Sequence, residues 1–383
     1  MLSWSQRQRL WALQEESEVA MPTRDELVRL YRQMFLIRRF EEEAARSYAQ
    51  GKIGGFLHLY IGQEAVAVGI NAMMMPDDYF VTTYRDHGVA LARGMTARAC
   101  MAELYGKVTG CSKGMGGSMH MFDREHNFLG GHGIVGAHVS LAAGAAWASK
   151  YRGDGRVSVC FFGEGATNIG GFHEGVSLAA LWKLPIVFVC ENNEYSMGTP
   201  TERTLPQRDV SKKGEAYDIP GLRFRGQDVA QVMAQIAEPI ARARRGEGPT
   251  MVEVQTYRYR GHSMSDPGKY RTAEEVDQRK LADPVRIGRE LALAAGASVD
   301  ELARVDAEVE EEVLDALRFA DESAEPDEAL LHSLTLAPSG DADSPPPQGS
   351  YPAEKRDDPH PSPLPEGEGA EARVRAKAEV GHA

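Results

Sequence analysis

The pattern of hydrophobic and polar residues switches several times along the chain between a helical period and short apolar runs. Two of these runs, 157–162 and 186–190, are bounded by turn residues, and the stretch 168–184 between them has a helical pattern. Because strand–helix–strand order is typical of parallel strands, this region predicts a βαβ unit. The run 251–257 is a third strand candidate.

Three helices have recognisable starts. Thr23 and Glu26 have the spacing of a capping box, and Asp283-Pro284 predicts a helix with Asp as its cap and Pro in its first turn. A third helix, rich in Glu and Ala, is predicted to begin at Asp300. Its apolar face is predicted to contain Leu302, Val305, Val309 and Val313.

Composition divides the chain into three parts. Residues 1–22 are predicted to form an N-terminal extension, and 23–337 an α/β domain with a mostly parallel sheet flanked by helices. Residues 338–383 are rich in Pro, Ser and Glu and have no apolar period. Because such a segment buries too little apolar surface to offset the entropy cost of ordering, we predict a disordered tail.

Charge and cysteine usage exclude several classes of protein. The 383-residue chain has a formal net charge of −13, which disfavours nucleic-acid binding, and no window of about 18 apolar residues predicts a membrane span. The four cysteines form no C-x-x-C pair and predict free thiols in a reducing compartment. Because the first twenty residues fit neither a secretory signal nor a transit peptide, we expect a cytoplasmic protein.

A glycine turn carries the strongest chemical signal. An apolar strand leads directly into Gly163-Glu164-Gly165, and a helix follows. Glycines let the backbone approach a ligand, and the N-terminus of the helix favours phosphate. Asn193 comes at the end of the next predicted strand. A carboxylate, an amide oxygen and a backbone carbonyl, completed by phosphate and water oxygens, make a site suited to magnesium.

A nicotinamide dinucleotide site is the alternative interpretation of this turn. Its fingerprint requires a third glycine, where this chain has Asn168, and an acid at the end of the second strand, where Glu191 satisfies it. The glycine pair alone is a weak signal. The Asn192-Asn193 pair at the end of the next strand favours the diphosphate and metal interpretation.

Gly163-Glu164-Gly165 followed by Asn192-Asn193 resembles the thiamine diphosphate motif, G-D-G with a downstream N-N. Further runs resemble the alpha subunits of thiamine-diphosphate-dependent 2-oxo acid dehydrogenases, above all those of the pyruvate type. The resemblance covers residues 25–335 and is carried by the runs 55–65, 84–88, 114–121, 133–136 and 257–267. One position departs from the family, which usually has Asp where this chain has Glu164.

The resemblance implies the thiamine-diphosphate-binding fold, with thiamine diphosphate and magnesium as cofactors. It implies that magnesium binds Glu164, the Asn193 side chain and the Tyr195 carbonyl. Two histidines have implied catalytic roles, His262 near the diphosphate and the reacting carbon, and His58 as a substrate contact. The other implied cofactor contacts are Tyr84 and Arg85 with the diphosphate, Gly133 and Val135 with the aminopyrimidine ring, and Gly165 and Ala166.

The implied reaction is the oxidative decarboxylation of pyruvate, with transfer of the acetyl unit to a lipoyl group of an acyltransferase core. The glutamate that activates thiamine in this family has no counterpart on this chain, so the resemblance implies a separate beta subunit, in an assembly of two alpha and two beta chains. Acetoin and branched-chain 2-oxo acids are alternative substrates, although 257–267 is more similar to the pyruvate type. An NAD-dependent dehydrogenase and a non-catalytic subunit are alternatives from other classes.

Overall fold

A parallel sheet lies at the centre of residues 21–330, the part of the chain that the structure, a computed structural model, describes. The strands of this part are β1 (Tyr79–Thr83), β2 (Phe128–His132), β3 (Ser158–Gly163), β4 (Ile186–Asn192), β5 (Tyr195–Ser196), β6 (Thr199–Pro200), β7 (Gly221–Arg225) and β8 (Thr250–Gln255). Six of them form one sheet in the order β2-β1-β3-β4-β8-β7, and every neighbouring pair is parallel. Strands β5 and β6 pair separately as an antiparallel hairpin.

Helices cover both faces of the sheet. They are α1 (Arg24–Ala49), α2 (Glu64–Met73), α3 (His87–Arg93), α4 (Ala97–Leu104), α5 (Ala137–Arg152), α6 (Gly170–Leu181), α7 (Thr201–Thr204), α8 (Val229–Arg244), α9 (Ala273–Lys280), α10 (Pro284–Ala294) and α11 (Val299–Glu322). Short 3-10 turns occupy Gly117–Met119, Glu164–Asn168 and Val210–Tyr217. The prediction of an α/β fold with a mostly parallel sheet flanked by helices is confirmed. Within residues 21–330, no helix combines the length and the apolar character that a membrane crossing requires.

The core lies on both sides of the sheet because successive strand residues point to opposite faces. In β3, Val159 and Phe161 belong to one apolar cluster, while Cys160 and Phe162 belong to the other. All four side chains are fully buried. A sheet buried on both faces explains why its strands read as continuous apolar runs rather than as alternating ones.

The βαβ prediction is confirmed, with a correction to its helix. The run 168–184 was predicted to be one helix, but a 3-10 turn ends at Asn168 and α6 begins only at Gly170. Ile169, between them, has an extended backbone, with φ −97° and ψ 153°. The break separates the glycine turn from the helix, so the turn has its own geometry.

Two of the three helix starts are confirmed and the third is shifted. Thr23 and Glu26 form the capping box of α1, and Asp283 accepts hydrogen bonds from two backbone amides at the start of α10. Helix α11 begins at Val299 rather than at Asp300, because Ser298 is its cap and forms a capping box with Glu301. The proposed tail, 338–383, lies outside the described residues, and so does nearly all of the extension 1–22; these boundaries stay predictions.

Candidate active site at the carboxyl edge of the sheet

The sequence-predicted site residues follow the carboxyl ends of five parallel strands, with one exception. Because all six strands point the same way, these ends share one edge of the sheet. Tyr84 and Arg85 follow β1, Gly133 and Val135 follow β2, Glu164, Gly165 and Ala166 follow β3, Asn193 and Tyr195 follow β4, and His262 follows β8. His58, the exception, lies in the loop before α2 and reaches the same edge from outside the sheet. Ligands of open α/β sheets bind at this edge.

Glu164 is a buried carboxylate in the turn after β3. Its residue is 1% exposed, and the Ser196 hydroxyl donates to its Oε1 over 2.8 Å. Burial raises the pKa of Glu164, whereas the hydrogen bonds from Ser196 and from the Asn193 backbone oppose that rise. Within residues 21–330, Glu164 has no ion-pair partner, so its negative charge is stabilised only by hydrogen bonds and by the more distant Arg258.

Asn193 lies beside Glu164 because β3 and β4 are parallel neighbours, with Gly163 paired to Glu191. The Asn193 amide nitrogen donates to Gln63 Oε1 over 3.1 Å, and its Oδ1 accepts from the Tyr195 backbone amide over 3.3 Å. A carbonyl oxygen has two lone pairs, so one of them is left for a further partner. The ends of β3 and β4 thus place Asn193 next to Glu164, with the Asn193 backbone hydrogen-bonded to the Glu164 carboxylate.

Tyr195 presents its backbone and its side chain in different directions. Its carbonyl accepts a long hydrogen bond, 3.4 Å, from Arg258 Nη1. Its hydroxyl donates to Glu275 of α9 over 2.9 Å, and its ring packs against Tyr270. The side chain therefore fixes the loop against α9 while the carbonyl remains on the side of the site.

Two arginines add buried positive charge to the same edge. Arg85 donates to the carbonyls of Leu59, over 2.6 Å, and His262, over 2.8 Å. Arg258 donates to the carbonyl of Met197 over 2.8 Å and to the Tyr270 hydroxyl over 2.9 Å. Both are buried, and within residues 21–330 neither forms an ion pair.

The two arginines repel each other across a poorly solvated site. Burial, followed by the nearby positive charge of Arg258, lowers the pKa of Arg85 to about 10. A guanidinium with a depressed pKa is one whose charged form is costly without an anion beside it. This pair is therefore suited to bind a ligand with several negative charges.

Three aromatic rings form a cluster beside the arginines. The His58 ring centroid lies 4.6 Å from that of Tyr84 and 5.2 Å from that of His262, and Tyr84 and His262 are 5.5 Å apart. Burial, followed by the charge of Arg85, lowers the pKa of His58 to about 2 and of His262 to about 4. Both imidazoles are therefore neutral near pH 7, and each offers one donor and one acceptor nitrogen.

Both histidines also have an unused ring nitrogen. The Nδ1 atoms of His58 and His262 are buried and have no hydrogen-bond partner within residues 21–330. Buried polar atoms in folded proteins almost always have partners, and an exception requires an explanation such as a missing ligand. The two atoms mark positions where a ligand atom or a water would complete the hydrogen bonding.

The loop that carries His262 is held in shape by Asp266. Its Oδ2 accepts from the His262 backbone amide over 2.6 Å and from the Tyr270 hydroxyl over 2.8 Å, and its Oδ1 accepts from the Gly268 amide over 2.9 Å. Arg271 donates to the Tyr259 carbonyl over 3.0 Å. These bonds orient the loop so that the His262 ring faces the arginines.

The loop after β2 exposes apolar side chains at the same edge. Ile134 is 73% exposed and Val135 44% exposed, although both lie next to buried Gly136. Gly136 has a φ of +75°, and a Cβ there would lie 2.4 Å from the Ile169 side chain, so the turn requires glycine. This loop is an open, apolar side of an otherwise buried site.

Sequence reasoning missed several residues that build the site. Arg258 stands in the quoted run 257–267 but was given no role, and Gln63 stands in the run 55–65. Ser196 and Gln63 bond directly to Glu164 and Asn193. The position of Arg258 directly after a predicted strand could have indicated a site residue. The contact of Gln63 with Asn193 joins distant segments, so residue spacing in the sequence does not predict it.

The fold and the site define a class of protein, the α/β enzymes that bind a phosphorylated cofactor at the carboxyl edge of a parallel sheet. Comparison with known proteins identifies the family. The family model described as "Dehydrogenase E1 component" matches residues 32–329, and the chain therefore belongs to this family, which depends on thiamine diphosphate.

Individual relatives are similar over most of their length. The pyruvate dehydrogenase E1 component subunit alpha of Rhizobium meliloti is 49% identical over 320 residues, covering 83% of this chain and 92% of its own. The protein of the same name from Zymomonas mobilis is 46% identical, covering 82% and 89%. The mitochondrial, testis-specific form of Rattus norvegicus is 47% identical, covering 79% and 78%. The resemblance found from the motifs is thus confirmed at the level of the family.

Proposed function

We propose that this chain is the alpha subunit of a pyruvate dehydrogenase (acetyl-transferring). It would hold thiamine diphosphate and magnesium for the oxidative decarboxylation of pyruvate. The names of the similar proteins support this activity. The observation that carries the proposal is a set of buried charges at one edge of the sheet, Arg85, Arg258 and Glu164, which have no ion-pair partner within residues 21–330.

Magnesium would bind the Glu164 carboxylate, the Asn193 side-chain oxygen and the Tyr195 carbonyl. These are hard oxygen donors, which magnesium prefers, and it usually keeps waters and phosphate oxygens as its remaining ligands. Within residues 21–330, no group of three or more His, Cys, Asp and Glu side chains could hold a metal. A site with a single carboxylate fits a metal that is bound partly by its phosphate ligand.

The diphosphate would lie between the metal site and the arginines. Arg85, after β1, offers a planar fork for phosphate oxygens, and Arg258 contributes charge from the loop after β8. Tyr84 and His262 could donate to the same oxygens, and the unpartnered Nδ1 of His262 supports this role. Gly165 and Ala166 bring the backbone of the turn close to the same place.

When bound, thiamine diphosphate supplies a positively charged ring that accepts the electrons of the broken carbon–carbon bond as carbon dioxide leaves. The chain's own contribution is to orient the ligand and move protons. His58 and His262 are neutral near pH 7, so each can accept a proton on one nitrogen or donate one from the other. Their ring contact, at 5.2 Å between centroids, keeps both beside the arginines.

The exposed loop at the open side of the site supports the proposal that a partner subunit binds there. Gly133 and Val135 would hold the aminopyrimidine through their backbone atoms, and this loop exposes Ile134 and Val135 to solvent. A beta chain that covers the loop would supply the activating glutamate, in an assembly of two alpha and two beta chains. A lipoyl-bearing acyltransferase would accept the acetyl unit. A cytoplasmic location remains a prediction from the sequence.

Two contacts argue against a nicotinamide dinucleotide site. Asn168, at the position of the third fingerprint glycine, donates its amide to the Thr204 carbonyl over 2.9 Å. Glu191, which would have to hold a ribose hydroxyl, is buried and already accepts from Tyr60 and Gln63. A ribose would have to displace both partners from a carboxylate that is 4% exposed.

The direct test is to produce the full chain together with a beta chain and assay decarboxylation with and without thiamine diphosphate and magnesium. We expect activity with pyruvate that needs both cofactors, and weaker activity with branched-chain 2-oxo acids and acetoin. Turnover of a branched-chain acid or of acetoin in preference to pyruvate would overturn the substrate assignment. Binding of NAD without binding of thiamine diphosphate would overturn the proposed function itself.

A further inference from the structure

Three buried side chains form a hydrogen-bonded row behind the proposed metal site. Asn193 donates from Nδ2 to Gln63 Oε1 over 3.1 Å, and Gln63 donates from Nε2 to Glu191 Oε1 over 3.4 Å. The Tyr60 hydroxyl donates to the same Glu191 oxygen. The row joins α2 to the end of β4, and all of its members are buried.

The chemistry of the end member sets the direction of every bond in the row. Glu191 Oε1 accepts hydrogen bonds from both of its neighbours, whereas the amide of Gln63 has a donor end and an acceptor end. The Gln63 nitrogen must therefore face Glu191, and its oxygen must face Asn193. The oxygen of Gln63 in turn attracts the Asn193 nitrogen, so the Asn193 oxygen points away from the row.

The orientation of Asn193 decides whether it can bind a cation. With Oδ1 outward, the amide keeps a lone pair on the side away from Gln63, in a residue whose backbone is hydrogen-bonded to the Glu164 carboxylate. A flip of the amide by half a turn would present two N–H groups there, and these repel a cation. In an amide ligand, the two orientations differ only in hydrogen bonding. The observed orientation is favoured by Gln63 Oε1, which accepts from Nδ2 over 3.1 Å, and by the Tyr195 backbone amide, which donates to Oδ1 over 3.3 Å.

The side chain of Gln63 does not cap the helix that it precedes. It is the N-cap residue of α2, but its side chain makes no capping hydrogen bond, although N-cap side chains commonly do so. Glu64 instead accepts from the Gly62 backbone amide over 3.0 Å. The Gln63 side chain instead bonds to Glu191 and Asn193, and it also reaches the Tyr60 hydroxyl.

We propose that Gln63 and Glu191 are positioning residues that hold the Asn193 side-chain oxygen toward the magnesium ion. This inference rests on the proposed function, and it adds two residues to the site that have no direct contact with cofactor or substrate. Partners that orient metal ligands typically change metal affinity by roughly 10–100-fold when they are removed.

The test is a Gln63→Met variant of the full chain, co-produced with the beta chain. Met has a similar length but cannot accept from Asn193. We expect the magnesium concentration for half-saturation, measured by calorimetry or by tryptophan fluorescence in the presence of thiamine diphosphate, to rise by roughly 10–100-fold. The turnover number at saturating magnesium should change little. A general loss of folding would lower the turnover number as well as the magnesium affinity.

A charge swap tests the direction of the bonds. In the double variant Gln63→Glu with Glu191→Gln, position 63 still accepts from Asn193, and the new amide at 191 can donate to it while accepting from Tyr60. We expect the double variant to bind magnesium within a few-fold of wild type. Gln227→Met is the matched control, because the one side-chain hydrogen bond of Gln227 within residues 21–330 goes to the Gln255 carbonyl, over 3.3 Å.

The outcomes separate this inference from the proposed function. The inference would be overturned if Gln63→Met bound magnesium with wild-type affinity, or if the double variant bound magnesium as weakly as Gln63→Met. Either result would leave the proposed function intact. A wild-type protein that binds thiamine diphosphate with no magnesium requirement would overturn the proposed metal site and this inference together. An equal loss of magnesium affinity in Gln227→Met would show that the effect is not specific to the row.

Discussion

Replacing Arg85 with Met removes a buried cation and leaves a side chain with a similar unbranched stem. The pKa of Arg85 falls from its usual 12.5 to about 10 through burial and then through Arg258, a difference that corresponds to about 3 kcal/mol of cost for the charged form. The substitution also loses the hydrogen bonds to the Leu59 and His262 carbonyls, about 1.5 kcal/mol each for a charged donor. Without cofactor, the two effects nearly cancel.

Cofactor binding should respond quite differently to this substitution. A diphosphate beside Arg85 would relieve the cost of the buried charge, so the variant loses about 3 kcal/mol of binding free energy, or about 100-fold in Kd. We expect Arg85→Met to keep the melting temperature of the cofactor-free protein within a few degrees of wild type while thiamine diphosphate affinity falls about 100-fold. Calorimetric titration and thermal denaturation measure the two quantities on the same samples.

Arg93→Met is the matched control for this experiment. Arg93 is also buried and donates to backbone carbonyls, those of His126, over 2.7 Å, and Asp78, over 2.9 Å, but it lies in α3, away from the strand ends that form the site. We expect it to lower stability and leave the Kd unchanged. The reasoning is refuted if Arg85→Met destabilises the protein as Arg93→Met does and binds thiamine diphosphate with wild-type affinity.

Three further substitutions test other parts of the site and fold. Glu164→Gln removes a buried charge, so we expect weaker magnesium binding together with an unchanged or higher melting temperature without metal. Gly165→Ala would place a Cβ 2.5 Å from the Ser196 hydroxyl, and we expect a higher magnesium requirement as that hydroxyl moves from Glu164. Burial lowers the pKa of His138 to about 4, so the stability from its neutral form is present above pH 6.5 and lost as the pH falls toward 4. Urea denaturation at pH 7 and pH 5 should show a smaller loss in His138→Gln than in wild type, and an equal loss would contradict this.

Local patterns predicted the elements of the fold because their signals lie within a few residues. The runs 157–162 and 186–190 became β3 and β4, and their parallel pairing brought Glu164 close to Asn193. The strand-end rule therefore located the candidate metal site without any knowledge of the rest of the chain. The start of α11 was misplaced by one residue, although the Ser298 and Glu301 capping box was present in the sequence.

Local sequence patterns could not predict the contacts between distant segments. Gln63 meets Asn193 across 130 positions of the chain, and Tyr60 meets Glu191 across 131. Their meeting depends on how α2 packs beside the sheet, a property of tertiary packing rather than of spacing. The burial that depresses the pKa of Arg85 has the same origin, since it arises from the surrounding loops.

The buried charges of the site also explain why magnesium and the diphosphate should bind cooperatively. Among the described residues, Glu164 forms no ion pair with a cation, and Arg85 and Arg258 form none with a carboxylate, although Arg258 is close enough to lower the pKa of Glu164. Magnesium alone would add positive charge beside the arginines, and diphosphate alone would add negative charge beside Glu164. Only the two ligands together neutralise both signs, so each should raise the affinity for the other by the same factor.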